Sequence, residues 1–428
     1  MIMATIQVIE TSTIAGTGIE HAACIRAGDW LFLTGIEAID YGSGLIPGVT
    51  PSAGLPHHGR PKHRREAAAI FDRMRRLLEA GGSSLSNAAR VDQYYTTWKA
   101  VDSYHHERVA GFGQHIPPST SIVMDGLACM QAEISVQLIA VSNGSPLSPQ
   151  RVSTARLGAP AWSGFAPAVS CGDFVFIAGQ MARATDGSHD PRAHVSPHSL
   201  WGGYEIRRQA EHIIRESLLP ALEAAGSSMA NALKAQAYVR HVEDIPHLMD
   251  VWNAHFGSRQ VALTVVPALE FGHVSANLEI NLVALRDDGT IRKEVIDAPV
   301  PSACCFGAPA VRAGDLLFLS GLMPANDAGP VTGGAPASAW PMFGIDATAQ
   351  VDFLLGTADH ICSVAGASLA NVVRAQHFMS DTGDFPLAHA RWKQRTGQGA
   401  LPWSVVRTPG PQAVPEGRLT LDLWVHAP

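Results

Sequence analysis

The stretch that decides the fold is Asp173–Ala182, "DFVFIAGQMA": a turn residue, five apolar residues, then an abrupt stop at Gly179-Gln180. The chain writes nearly the same phrase at 29–38, "DWLFLTGIEA", and at 315–324, "DLLFLSGLMP". The phrase glycines at 35, 179 and 321 lie 144 and 142 residues apart. A second phrase follows each: "EAGGSSLSNAARV" (79–91), "EAAGSSMANALKA" (223–235) and "SVAGASLANVVRA" (363–375). Two markers in the same order, three times over, define an internal repeat whose period is far too long for a solenoid. Each repeat is instead expected to be a small domain, with boundaries at 1–144, 145–288 and 289–428. These fall in the turn-forming "SNGSPLSPQ" and the polar "RDDGTIRKE".

Each unit reads alike. A Gly-Asp pair marks a hairpin before the phrase, and the run Phe174–Ala178 is aromatic and β-branched enough for a buried strand. A helix is expected over 66–80, with Ile70, Met74, Leu77 and Leu78 on one face and Gly81-Gly82 closing it. Its counterpart in unit two contains Pro220, which predicts a kink or a late start. A strand, a short helix and two strands complete an α+β unit of order ββαβαββ, with both helices on one face of a mixed sheet. The strands are apolar throughout, so the second face needs cover as well, and another unit is the obvious cover.

Composition sets the outer bounds. The 428 residues are 46% hydrophobic and 16% charged, which suits burial and not disorder. A net charge of −7 leaves no footprint for nucleic acid. No signal peptide, membrane span or polybasic segment is read, and the six scattered cysteines fit reduced thiols in the cytoplasm. Two histidine-rich loops, 56–66 and 188–199, have neither cysteine partners nor helical i, i+4 spacing, so no metal and no cofactor are expected. These loops and 333–344, with Trp201 and Trp340, are either lids or anchors on the sheet.

The sequence resembles the Rid family of reactive-intermediate deaminases, also called YjgF. The likeness is clearest in "FAPAVSCGDFVFIAGQMA", "ALEAAGSSMANALKAQAYVR" and "LEINLVAL" of unit two. That resemblance implies three fused copies forming an intramolecular pseudo-trimer around a central β-barrel, helices outside, with ligand clefts between neighbours. It also implies an arginine that clamps a substrate carboxylate and a glutamate that positions the attacking water. Laid on this chain, the arginine position becomes Thr120, Leu263 and Trp403. The glutamate position becomes Ser135, Glu279 and Thr420, with Glu133 and Asp422 as neighbours that share a strand face. A family tyrosine becomes His21, Phe165 and Gly307. The hydroxyl beside the marker glycine is kept as Thr34 and Ser320, and an asparagine becomes His105, Met249 and His389.

The catalytic candidates are therefore Glu279, His21 and His105. The candidates for substrate binding are Thr34, Thr120, Ser135, Glu133, Ser320, Trp403 and His389. Trp403 either stacks on a flat substrate or plugs its cleft; Arg259 and Arg407 either replace the missing cation or sit on the surface. Unit one holds the most polar set, which would meet Glu279 if unit two lines the same seam. Three functions fit: a hydrolytic deaminase acting on a small imine, enamine or related nitrogenous metabolite, a non-catalytic small-molecule binder, and a ring-opening amidohydrolase. The last needs Ser–Lys pairs, and the one strand lysine, Lys234, is arginine at 90 and 374. The expected partner is a small molecule, and pairing into a further homodimer is compatible with the reading.

Overall fold

A computed structural model describes residues 6–50, 59–153, 164–196, 198, 201, 203–333 and 346–428. Three large sheets carry the fold, and their six-strand paths have the same order. The first runs Ile6–Ile14, Ile19–Ala27, Trp30–Ile36, Ile134–Val141, Ala88–Tyr95, Ser119–Val123. The second repeats that path from Gln150–Val152 to Ala262–Pro267, and the third from Lys293–Ile296 to Trp403–Arg407. Within each path, the last strand in sequence inserts at the centre, and the fourth and fifth strands in sequence pair in parallel. The mixed α+β architecture expected from the sequence is thus present.

The quoted phrase explains its own composition. Val175 and Ile177 pack on the helices of their own sheet, while Phe174 and Phe176 face the other way. They enter a core shared by all three sheets, where Trp30 meets Phe174 edge-to-face at 5.4 Å and Phe318 meets Trp424 at 4.6 Å. A strand buried on both faces has no solvated side to make polar.

The first long helix is Lys62–Ala80, starting four residues earlier than expected, and it buries Ile70, Met74, Leu77 and Leu78. Gly81 stays helical and Gly82 takes φ 78°, so that Ser83 N–H reaches back to Leu78 O at 2.7 Å. Its counterpart in the second sheet is broken: Glu205–His212 gives way to a π-helical stretch, Ile213–Leu218, before Leu219–Ala224. Pro220 has no N–H for the carbonyl one turn back, and the helix widens there.

The expected central barrel does not close. Backbone pairs link the sheets at Glu20–His21 with Ala400–Leu401, at Gly126–Leu127 with Val406–Arg407 and at the bridge Val123–Glu270, and single N–H···O bonds join Ala166 to Ile116, Ala308 to Val261 and Gly321 to Leu263. Side chains do the rest. Next to the shared apolar core lies a buried polar network drawn from equivalent strand positions. Arg90, Lys234 and Arg374 occupy one level, Asp92, Gln236 and Gln376 the next, and Tyr94, Tyr238 and Phe378 a third. Its bonds cross between sheets: Arg374 to Asp92 at 2.6 Å, Arg90 to Gln236 at 3.0 Å, Gln236 to Asp422 at 2.9 Å and Tyr94 to Tyr238 at 2.8 Å. Among the described residues no helix is long and apolar enough to cross a membrane.

Candidate functional site

Three seams form where the sheets meet, and their contents differ. Between the first and second sheets lies a cavity of about 310 Å³. The helix Lys99–Phe112 turns Asp102, His105 and Arg108 toward it, spaced three apart on one face. The strand Ser119–Val123 contributes Ser119, Ser121 and Val123, which alternate onto the same face. From the second sheet come Gly179, Met181 and Arg183, again at alternating positions, and Glu279. Trp98, Phe165 and Phe271 supply apolar wall.

Glu279 is 3% exposed. Its carboxylate rests where the marker glycine has no side chain: a Cβ at position 179 would collide with Oε1 and come within 2.9 Å of Cδ. Burial raises its pKa to about 7, with Asp92 adding repulsion, while Arg183 and the Ser121 amide hold it down. His105 is driven the other way, to about 3, by burial and by the nearby Arg108 and Arg183 cations. At neutral pH the cavity thus holds a neutral imidazole, a carboxyl near its midpoint and a guanidinium. Such a carboxyl is suited to exchanging protons with a bound molecule. Arg183 reaches the cavity over Gly272, where a Cβ would come within 2.8 Å of Nη2. Arg108 donates to Ser119 Oγ at 3.0 Å, and Ser121 Oγ donates to Gln93 at 2.6 Å.

The sequence-predicted residues divide among the seams. His105 and Glu279 come together, as does Phe165. Thr120 does not, because the arginine position was placed one residue off. Strand register pairs Ser119 with Val91, Leu263 with Ala235 and Trp403 with Ala375, so the equivalent of Leu263 and Trp403 is Ser119. A one-residue slip exchanges strand faces. Thr120 accordingly points into the central network, where Asn281 donates to its hydroxyl at 3.1 Å.

His21, Thr34, Ser135, Trp403 and His389 belong to the seam between the third and first sheets. His21 Nε2 donates to Thr34 O at 2.8 Å, its Nδ1 meets Tyr41 Oη, and Trp403 packs on its ring at 4.3 Å. Trp403 donates to Glu20 O at 3.0 Å, and His389 Nε2 lies 3.1 Å from the same oxygen. With Trp403 1% exposed, this cleft is plugged. Burial and the Arg73 charge drive the His21 pKa down to about 3. Ser135 lies beside a second buried carboxyl, Glu37, which the sequence reading did not mark. Ser320 stands in the seam between the second and third sheets, donating to Ala308 O at 2.5 Å and accepting from Leu263 N at 2.9 Å.

Glu133 lies outside the cavity that holds Glu279. It precedes the strand Ile134–Val141 and pairs with Lys62 at 2.5 Å and His63 at 2.9 Å. Asp422 is buried against Lys234 at 3.1 Å. Lys234 itself donates to Thr264 at 2.7 Å, not to a serine. Arg407 pairs with Asp125 near the surface. In the second histidine-rich loop, His189 packs on His194 and His273 at 4.4 and 5.3 Å, and among the described residues no group of three or more ligating side chains is placed to hold a metal ion. Trp201 is 86% exposed; Trp340 and residues 56–58 and 334–344 lie outside the described residues.

Residues 157–286 match the family model described as Endoribonuclease L-PSP. No curated protein matches the chain. Among solved structures, yeast Mmf1 is similar at 21% identity, over 32% of this chain and 99% of its own, with a TM-score of 0.27. A putative endoribonuclease from Thermotoga maritima MSB8 is similar at 21% identity over 32% of this chain and 98% of its own, with a TM-score of 0.26. A chorismatase covers 64% of this chain and 79% of its own at 16% identity, with a TM-score of 0.42. The segment 157–286, which carries Arg183 and Glu279, is therefore similar to the Rid/YjgF family to which that model belongs.

Proposed function

We propose that the chain is a hydrolytic deaminase of the Rid type, acting on a small anionic imine or enamine in the cavity between the first and second sheets. In this reading residues 1–144, 145–288 and 289–428 are three fused units arranged as a pseudo-trimer, and one seam has kept its chemistry. Arg183 pairs with the substrate's anionic group, doing from the loop after the marker glycine what the family arginine does from a strand. Glu279 takes a proton from water as its oxygen adds to the C=N carbon. The same carboxyl then returns that proton to nitrogen, giving a carbinolamine, and relays the carbinolamine O–H proton to nitrogen as the C–N bond breaks, so that ammonia leaves a carbonyl product. Neutral His105 and Ser119 orient the substrate.

The observation that carries this reading is a buried carboxyl near its midpoint at neutral pH, sharing one cavity with a guanidinium. The test is turnover of a panel of 2-imino and 2-enamino acids, followed by ammonia release. Glu279→Gln should abolish it, and Arg183→Leu should raise KM far more than it lowers kcat. Unchanged rates in Glu279→Gln would remove this carboxyl from the reaction. Binding of a panel member without any ammonia release would support a non-catalytic binder instead.

A further inference from the structure

A second cavity, of about 410 Å³, opens on the outer side of the first sheet, between the edge strand Ile6–Ile14 and the helix Lys62–Ala80. It shares no residue with the cavity that holds Glu279. At its floor is Glu37, 1% exposed, with the Cys129 amide donating to Oε2 at 3.2 Å. Beside it, Tyr41 donates to His21 Nδ1, because the His21 Nε2 proton is committed to Thr34 O. The Arg73 guanidinium lies 5.5 Å over the Tyr41 ring and bonds Glu10 through Nη2 at 3.2 Å. Its Nη1 is buried and, beyond the neighbouring Tyr41 hydroxyl, meets no acceptor among the described residues. Ala38, Ile46 and Ala69 give the cavity an apolar side. Trp403, packed on His21, closes the seam behind it, so entry is from the outer face.

A buried N–H without an acceptor is destabilising, so the Arg73 Nη1 is a standing demand for one. Glu10 is already engaged by Arg73, and Asp40 accepts from the Gly42 amide at 2.7 Å. Burial raises the Glu37 pKa to about 8, so near neutrality it is mostly a carboxylic acid with an O–H to give. We propose that this cavity binds a small carboxylate with an apolar body, held by Arg73 and the Glu37 O–H.

The pH dependence follows. Glu37 faces Glu66 and Arg73 from the long helix, Asp40 and Tyr41 from its own segment, Glu10 from the edge strand, and Ser135 and the Cys129 amide from beyond it. Of these, Glu66 adds to the upward shift, and the Cys129 amide and Ser135 oppose it. The ligand needs Glu37 protonated, so binding holds below about pH 8 and weakens roughly tenfold per pH unit above it. Calorimetric titration with benzoate tests this on the full chain. At pH 6.5 benzoate should bind the wild type and Arg183→Leu alike, and Arg73→Leu should weaken it at least tenfold. Glu37→Gln keeps an N–H donor, so it should still bind, with the loss above pH 8 abolished. Failure of benzoate to bind, or binding lost in Arg183→Leu but intact in Arg73→Leu, would overturn the proposal.

Discussion

Replacing Glu279 with Gln should flatten the pH dependence of stability by a predictable amount. A carboxyl whose folded pKa is raised is favoured by the fold in its protonated form. Its contribution is full below the ordinary value of 4.5 and is lost as pH rises toward the folded value of about 7. The whole gap corresponds to ~3 kcal/mol, reached above neutrality; at pH 5.5 only about 1 kcal/mol of it has been lost. Between pH 5.5 and pH 8 the wild type should therefore lose ~2 kcal/mol more stability than Glu279→Gln. Glu37 and Glu66 are also raised by burial, but they titrate in both proteins and cancel in the comparison. The Arg183 charge is already part of the folded value of about 7 and stays constant over this range, so it adds no slope of its own. Urea unfolding at the two pH values measures the difference. Parallel losses in the two proteins would mean that Glu279 is not held as described, and the acid–base argument would fail with it.

Arg183→Leu should raise the Glu279 pKa above about 7, because Arg183 is the charge that holds it down; a fall in a carboxyl titration followed by NMR would contradict the assigned contact. Lys234→Met strands Asp422 as a buried charge and should lose ~3–5 kcal/mol in denaturant unfolding, while Lys234→Arg, the residue found at 90 and 374, should lose much less. Gly35→Ala should be worse than Gly179→Ala in the same assay. Gly35 has φ 63° and a Cβ there would sit 2.6 Å from the Trp403 carbonyl, which cannot move aside, whereas Gly179→Ala displaces only the Glu279 side chain, at roughly 1–3 kcal/mol.

The repeat, the sheet strands and the break near Pro220 were legible because each leaves a local mark: a phrase spaced twice, an apolar run, a missing N–H. The pairing of His105 with Glu279 was half legible. Both followed from motif position, but nothing local says which sheets face each other. Thr120 went wrong because "PPST" gives no anchor for register, and only the pairing of Ser119 with Val91 fixes it. Arg183 had a readable signal that was not used: it follows Gly179 at a distance of four, so a strand that aims the glycine at the cavity aims the arginine there too. Glu37 and Arg73 had none, since their meeting depends on a helix packing across a sheet. The central network was equally hidden; Asp92 and Arg374 are 282 positions apart.

The differences between the seams follow from which side chains fill equivalent positions. Strand register matches Ser119 with Leu263 and Trp403, and Glu279 with Thr420 and Ser135. Where Ser119 meets Glu279, a small residue leaves the volume and a buried acid lines it. Where Leu263 stands, Ser320 spends its hydroxyl on backbone groups and Lys234 donates to Thr264 and to Leu319 O. Where Trp403 stands, the indole occupies the cleft and Ser135 cannot act as an acid. Yet an acid persists there, because Glu37, just past the end of the strand Trp30–Ile36, brings a carboxyl up to Ser135. A chain that carries all three seams can fill each independently, which identical copies of one unit could not do.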